Sequence, residues 1–220
     1  MTIQVGPATL TQAVPASMTA RLLRCVLGLV ICGVGIACIV AGDIGLAPWD
    51  VLHEGISERT GLAIGAVMVL VGFTVLVAWI PLRVRPGIGT ILNAILIGIT
   101  VDLMLPHLPA PDHVALRLAL MAIGVVAFAV GTGLYIGAGL GPGPRDGLMT
   151  GIAERGHSIR LVRTAIELSV LAAGWTLGGS VGLGTAVFAL TIGPMVQFFL
   201  ARFGMRAAPD DAVREADAYD

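Results

Sequence analysis

In 220 residues this chain carries 56% apolar and only 12% charged side chains, with a formal net charge of −1. A water-soluble domain usually carries about 25% charge, so this apolar surplus exceeds what one soluble core can bury, and the expected solvent is lipid. The near-neutral balance says nothing about nucleic acid, but there is no basic patch interleaved with aromatics, and no nucleic-acid partner is expected.

Residues 1–19 read as a loose polar tail. The run 21–41 follows, led by Arg21 and Arg24, and holds all three cysteines: Cys25, Cys32 and Cys38. They read as small buried hydrophobes and match no disulfide or metal spacing. Ile36-Ala37-Cys38 faintly resembles a lipoprotein cleavage site, but Gly35 stands where Leu is usual. Residues 43–60 break the apolar pattern. Pro48 suits the first position of a helix, and the piece from Pro48 to Arg59 is too short to cross a core of about 30 Å. A second span is expected at 62–80 and a third at 88–105. Pro81 and Pro86 with Arg83 and Arg85 mark the turn between them. The remainder reads as a span at 115–137, a short helix at 144–156, spans at 159–177 and 183–201, and a polar tail at 204–220.

The second half copies the first. Pro48, Asp50, Leu52, Gly55, Ile56, Glu58 and Arg59 align with Pro144, Asp146, Leu148, Gly151, Ile152, Glu154 and Arg155 at an offset of 96. After one lost residue, Gly87-Ile88-Gly89-Thr90 meets Gly182-Leu183-Gly184-Thr185 at an offset of 95. A shared Pro-x-Asp-x-Leu-x-x-Gly-Ile-x-Glu-Arg is not produced by apolar composition, so the chain reads as a tandem duplication. Cleavage after the first run would destroy half a repeat unit. The expected division is a membrane repeat at 20–111 and a second at 112–203.

Orientation follows from arginine, because the chain has no lysine. With the N-terminus inside, eleven arginines fall on inner segments, and only Arg59 and Arg117 fall outside. That is a positive-inside signal with both termini cytoplasmic. Three spans per unit is an odd number, so the second unit is expected upside down relative to the first. The fold class expected is therefore an all-α polytopic membrane protein: six transmembrane helices in two inverted three-helix repeats, each with a short broken or interfacial helix. On this reading Trp49 faces the outer interface and Arg145, its equivalent, the cytoplasm.

Pro48-Trp49-Asp50, Gly143-Pro144-Arg145-Asp146, the Gly-x-Gly-Thr turns and the six-span layout resemble the YczE/YitT family of bacterial membrane proteins. The resemblance covers roughly 20–203 and is closer to the YczE branch, since YitT relatives carry a soluble C-terminal domain. It implies a multi-pass protein of the bacterial cytoplasmic (inner) membrane and supplies no substrate.

The candidate substrate-binding residues are Asp50, Asp146, Arg145, Trp49, Glu167, Asn93 and Asp102. The helix-start motif is Pro48, Pro144, Gly45 and Gly141. Asp50 and Asp146 each lie two residues after a helix-opening proline. There a carboxylate either serves the unpaired N–H groups and dipole of the helix start, or joins a central site built from broken helices of inverted repeats. The charged residues His53, Glu54, Glu58 and Arg59 favour a helix lying on the interface. Glu167 sits inside a span, where an ionisable residue needs a partner; Arg163 is four residues before it. Asn93 and Asp102 belong to the third span, and Asp102 is near its outer, wet end. Gly178-Gly179-Ser180-Val181-Gly182 matches a serine-hydrolase pattern, but it lies in a turn between spans rather than a strand-to-helix elbow.

No nucleophile, metal or cofactor constellation appears, so no enzyme, metal or cofactor is expected. The reading is a small-solute transporter or permease with its site near the two Pro-x-Asp boxes. The alternative is a non-transporting accessory that assists a partner complex. The expected partners are the lipid bilayer, a small solute, and either a second copy or a membrane partner protein.

Overall fold

The computed structural model describes residues 17–203. The sequence-expected tails lie outside the described residues except for 17–19, which already open the first helix.

The apolar runs become long helices separated at Gly, Pro and capping residues. Helix α1 (Met18–Gly42) is capped by Ser17, whose hydroxyl accepts from the Ala20 N–H at 3.3 Å. It stops at Asp43, a left-handed residue with φ 48°. The short α2 (Pro48–Thr60) begins on its proline and ends at Gly61. Helix α3 (Ile64–Leu82) runs through Pro81 to Leu82, two residues beyond the expected end, and is closed by Arg83. Helix α4 (Ile88–Met104) continues into a 3-10 turn at Leu105–His107. Then come α5 (Val114–Gly137), the short α6 (Pro144–Ala153), α7 (Ile159–Leu177) and α8 (Leu183–Phe203). Helix α6 stops three residues before its expected end at 156, in a turn closed by Gly156 at φ 95°.

Five of these helices, namely α1, α3, α4 extended to His107, α5 and α8, are long and apolar enough to cross a membrane. Helix α7 matches α3 in length, but Arg160, Arg163 and Glu167 lower its apolar character. Among the described residues there is no strand.

The centre is the antiparallel pair α1 and α5. Their backbones touch because both faces carry glycine. A methyl group on Gly28 would lie 2.6 Å from Gly131 O, and one on Gly35 would lie 2.7 Å from Gly124 O. Small residues at such crossings are how membrane helices gain close van der Waals contact without a hydrophobic drive. The three cysteines are buried on α1. Helix α4 packs on α1 and on α3, and α8 packs on α5; α2 lies against α7, and α6 against α3. Helices α7 and α8 barely meet.

Many contacts come in exchanged pairs. The Gly89 N–H donates to Leu140 O at 2.7 Å, and the Gly184 N–H donates to Ile44 O at 2.8 Å. Arg21 donates to Gly139 O, and Arg117 donates to Asp43 O. Gly28 meets Gly131 while Gly35 meets Gly124. In each pair the residues of one contact are those of the other moved 95 or 96 places along the chain.

Candidate functional site

The two segments before the short helices need backbone shapes that only glycine adopts freely. Gly45 has φ 112° and Gly141 has φ 111°. Each is pressed against the opening of a long helix in the other half: a Cβ on Gly45 would lie 2.6 Å from Gly182 N, and one on Gly141 would lie 2.7 Å from Thr90 Oγ1. Thr90 also donates to Pro142 O at 2.7 Å. These braces aim the proline-started ends of α2 and α6 inward. On the far side of α6, Trp79 is buried and its Nε1–H donates to Pro144 O at 3.0 Å.

Between the two helix starts lies a cavity of about 310 Å³. Pro48, Trp49, Asp50, Pro144, Arg145 and Asp146 all line it, as do Asn93 and Glu167. Gly45 and Gly141 stand behind the wall. Asp102 is elsewhere. It is half-buried rather than wet, and its Oδ1 accepts the Gly65 N–H at 2.7 Å, so it caps the start of α3.

Trp49 and Arg145 do not face opposite sides. The Arg145 guanidinium lies over the Trp49 ring at 5.1 Å from its centroid, and Trp49 is only 7% exposed. Cation–π attraction and cover from α7 and Arg145 outweigh interfacial anchoring here. Arg145 Nη2 is also 3.5 Å from Asp50 Oδ1 and 3.5 Å from His53 Nδ1. Asp50 is 2% exposed and hydrogen-bonds His53 at 3.2 Å. Neither Asp50 nor Asp146 takes a backbone N–H among the described residues, so neither is a side-chain cap of its helix. The charged residues of α2 divide between protein and surface: Glu58 and Arg59 are exposed, the others turn inward. His53 is buried, Glu54 accepts the Ser180 N–H, and Arg59 donates to Leu177 O.

Asp146 differs from its twin. Tyr135 Oη–H points to its Oδ2 at 3.5 Å, and no cation lies within 4 Å of it among the described residues. Tyr135 and His53 are the site residues that sequence reasoning missed. The i,i+3 spacing of Asp50 and His53 was visible as a helix-face pair; nothing marks Tyr135 within its apolar run.

Arg163 and Glu167 pair at 2.9 Å, with side chains 55% and 33% exposed, and both also border the cavity. An exposed i,i+4 pair contributes about 0.3–0.5 kcal/mol. Glu167→Gln is therefore expected to leave thermal unfolding in detergent nearly unchanged; a large drop would mean that the pair holds α7 in place.

The model of a family of unknown function, DUF6198, matches residues 19–201. The chain belongs to that family. It is 44% identical over 171 residues to an uncharacterized protein of Haemophilus influenzae, covering 77% of this chain and 78% of that one. It is 36% identical over 177 residues to the uncharacterized membrane protein YczE of Bacillus subtilis, covering 79% and 82%. A more distant relative, the uncharacterized protein YyaS of Bacillus subtilis, is 26% identical over 179 residues, covering 79% and 89%. No solved structure matches. The apolar helices and the YczE relationship make this DUF6198 chain a membrane protein in contact with the lipid bilayer.

Proposed function

We propose that this protein is a small-solute transporter of the bacterial cytoplasmic membrane, built from two inverted repeats, with its solute site in the cavity between the Pro-x-Asp boxes. The observation that carries this reading is the pairing of cavity walls. Equivalent positions of the two halves face the same space: Asp50 and Asp146, Met68 and Arg163, Gly72 and Glu167, Gly98 and Gly193. Two equivalent pairs even touch, Trp49 with Arg145 and Cys32 with Phe128. Residues that meet their own counterparts lie beside a pseudo-two-fold axis. Such an axis through a central cavity with broken helices is the layout of inverted-repeat transporters.

The halves are alike in backbone and unlike in state. In the first, α3 and α4 are shut: Gly98 packs on Gly65 O, and a Cβ on Gly72 would lie 3.3 Å from Ala94 Cβ. In the second, the counterparts on α7 and α8 are apart, and no atom lies within 4 Å of a Cβ on Gly193. By the arginine bias the gap between α7 and α8 faces the cytoplasm and the sealed α3–α4 seam faces outward. This supports an inward-open state whose outward-open partner exchanges the two packings. The Trp49 indole N–H is buried without a hydrogen-bond partner among the described residues. Such an orphan costs about 1–3 kcal/mol, which a rearranged state or a bound acceptor would relieve.

Cysteine accessibility tests the reading. With Cys25, Cys32 and Cys38 replaced by alanine, a single cysteine at Asn93 on the cavity wall is treated with a membrane-impermeant maleimide from each face in turn. Labelling from both faces is expected of alternating access. Labelling from one face alone leaves a dead-end cavity and favours the accessory role.

A further inference from the structure

The charges around the cavity do not balance. Arg145 and Arg163 face it, against Asp50, Asp146 and Glu167. Arg145 is within 3.5 Å of Asp50, and Arg163 is within 2.9 Å of Glu167. Asp146 is left over. It is partly exposed to the cavity and has no cation within 4 Å among the described residues, Arg145 and Arg163 acting on it only from farther off, so the space in front of it favours a positive charge.

The groups beside Asp146 specify more than charge. Three polar ends converge beside Gly143, on the cavity wall: a Cβ there would lie 3.1 Å from Tyr135 Oη, 3.3 Å from the Asn93 amide nitrogen and 3.5 Å from Asp146 Oδ2. A primary ammonium has three donors and no acceptor. This cluster offers the cavity a carboxylate, a phenol oxygen and, with its amide turned, the Asn93 carbonyl. Beyond it the wall becomes apolar and aromatic, with Ile97, Phe128, Phe188 and Ile192; the rings of Phe128 and Phe188 are 5.6 Å apart and tilted. An inorganic cation has no use for such a wall. A volume of about 310 Å³ admits a body of several carbons.

We infer that the cavity binds a primary ammonium group carried on a small apolar body, with Asp146 as its counter-ion and Tyr135 and Asn93 as its further hydrogen-bond partners. This names the solute class of the transporter proposed above and rests on that reading. Asp50 is not the counter-ion, because His53 and Arg145 already occupy it.

The test is binding, which needs no turnover. The full chain, purified and held in lipid nanodiscs, is titrated with 2-phenylethylammonium, with its neutral analogue 2-phenylethanol, and with the phenylacetate anion, followed by calorimetry. Saturable binding of the ammonium is expected, at least tenfold tighter than the alcohol, with no binding of the anion. Asp146→Asn should weaken the ammonium tenfold or more and leave the alcohol unchanged. Tyr135→Phe, which removes only a hydroxyl, should weaken the ammonium severalfold, and it carries the test if Asp146→Asn does not fold. Preference for the anion, an Asp146→Asn or Tyr135→Phe titration like that of the parent, or no binding of any probe would overturn the inference. The two-sided labelling of Asn93→Cys is scored separately, so a transporter of another solute class remains distinguishable from no transporter at all.

Discussion

Leucine at Gly98 is expected to destabilise the fold severely, whereas leucine at Gly193, its counterpart 95 residues on, is expected to leave the protein folded and its cavity filled. At Gly98 the obstacle is the Gly65 carbonyl oxygen, which is backbone and cannot swing aside, with Val69 Cγ2 at 2.8 Å from the added carbon. Overpacking of this kind costs about 1–3 kcal/mol and occasionally more, or a fall in melting temperature of roughly 2–12 °C for a chain of this size. At Gly193 nothing lies within 4 Å, so the new side chain enters the open space between α7 and α8. Paired melting curves in detergent decide the matter. Equal destabilisation at both sites would mean that α7 and α8 are packed like α3 and α4, and the proposed inward-open state would be lost. If Gly193→Leu folds normally, it should also abolish two-sided labelling at Asn93, because the bulky side chain props the gap open.

Much of this architecture is legible in the amino-acid order, for physical reasons that differ from element to element. Apolar runs of membrane-crossing length announce long helices, and Pro48 and Pro144 announce new helix starts. Helix α7 has its expected bounds, and Gly178, left-handed at φ 108°, ends it. Helix α6 ends at Ala153, three residues short of its expected end. The sequence shows the shared motif, but not that the turn at Glu154–Gly156 is drawn off the helix while Arg155 donates to Pro81 O. Helix α1 begins one turn earlier than its first arginine, because Ser17 caps it.

The site was legible as a set of residue types and less so as a place. Two Pro-x-Asp boxes in a duplicated chain are suggestive, since duplication about an axis returns equivalent residues to the same centre. What the sequence does not carry is which carboxylate goes where. Asp102 looks like Glu167 on paper, an acid inside an apolar run. The fold uses it to hold the N–H of Gly65 at a helix start, remote from the cavity. Trp49 looks like an interfacial anchor, and only the tertiary structure shows an arginine from the other half lying over it. Tyr135 is silent in sequence, because a phenol in an apolar helix has no periodicity of its own.

Arg145→Ala is expected to have the largest effect on stability of any single change at the site, and the reason lies in Asp50 rather than in Arg145. Asp50 is 2% exposed, and its one arginine partner among the described residues is that guanidinium at 3.5 Å. Removing one member of a buried pair costs about 3–5 kcal/mol, because the other is stranded. The Arg145 side chain is 31% exposed and the His53 hydrogen bond survives, so the low end, about 3 kcal/mol, is expected. Asp50→Asn strands nothing. The amide still reaches His53, and Arg145 can turn to water, so about 1 kcal/mol or less is expected. The double variant Asp50→Asn with Arg145→Ala should then be more stable than Arg145→Ala alone, a coupling in the range of about 0.5–3 kcal/mol for contacting residues. Arg145→Lys should fall between, since a point charge on a flexible stem cannot lie flat on Trp49 and also reach Asp50. Unfolding of the four proteins in graded denaturing detergent closes the cycle. If Arg145→Ala is as mild as Asp50→Asn, the two boxes are not joined by charge. Asp50 would then serve only the dipole of its own helix start, a contribution of about 0.3–1 kcal/mol, and the cavity would lose the ion pair that makes it a single site.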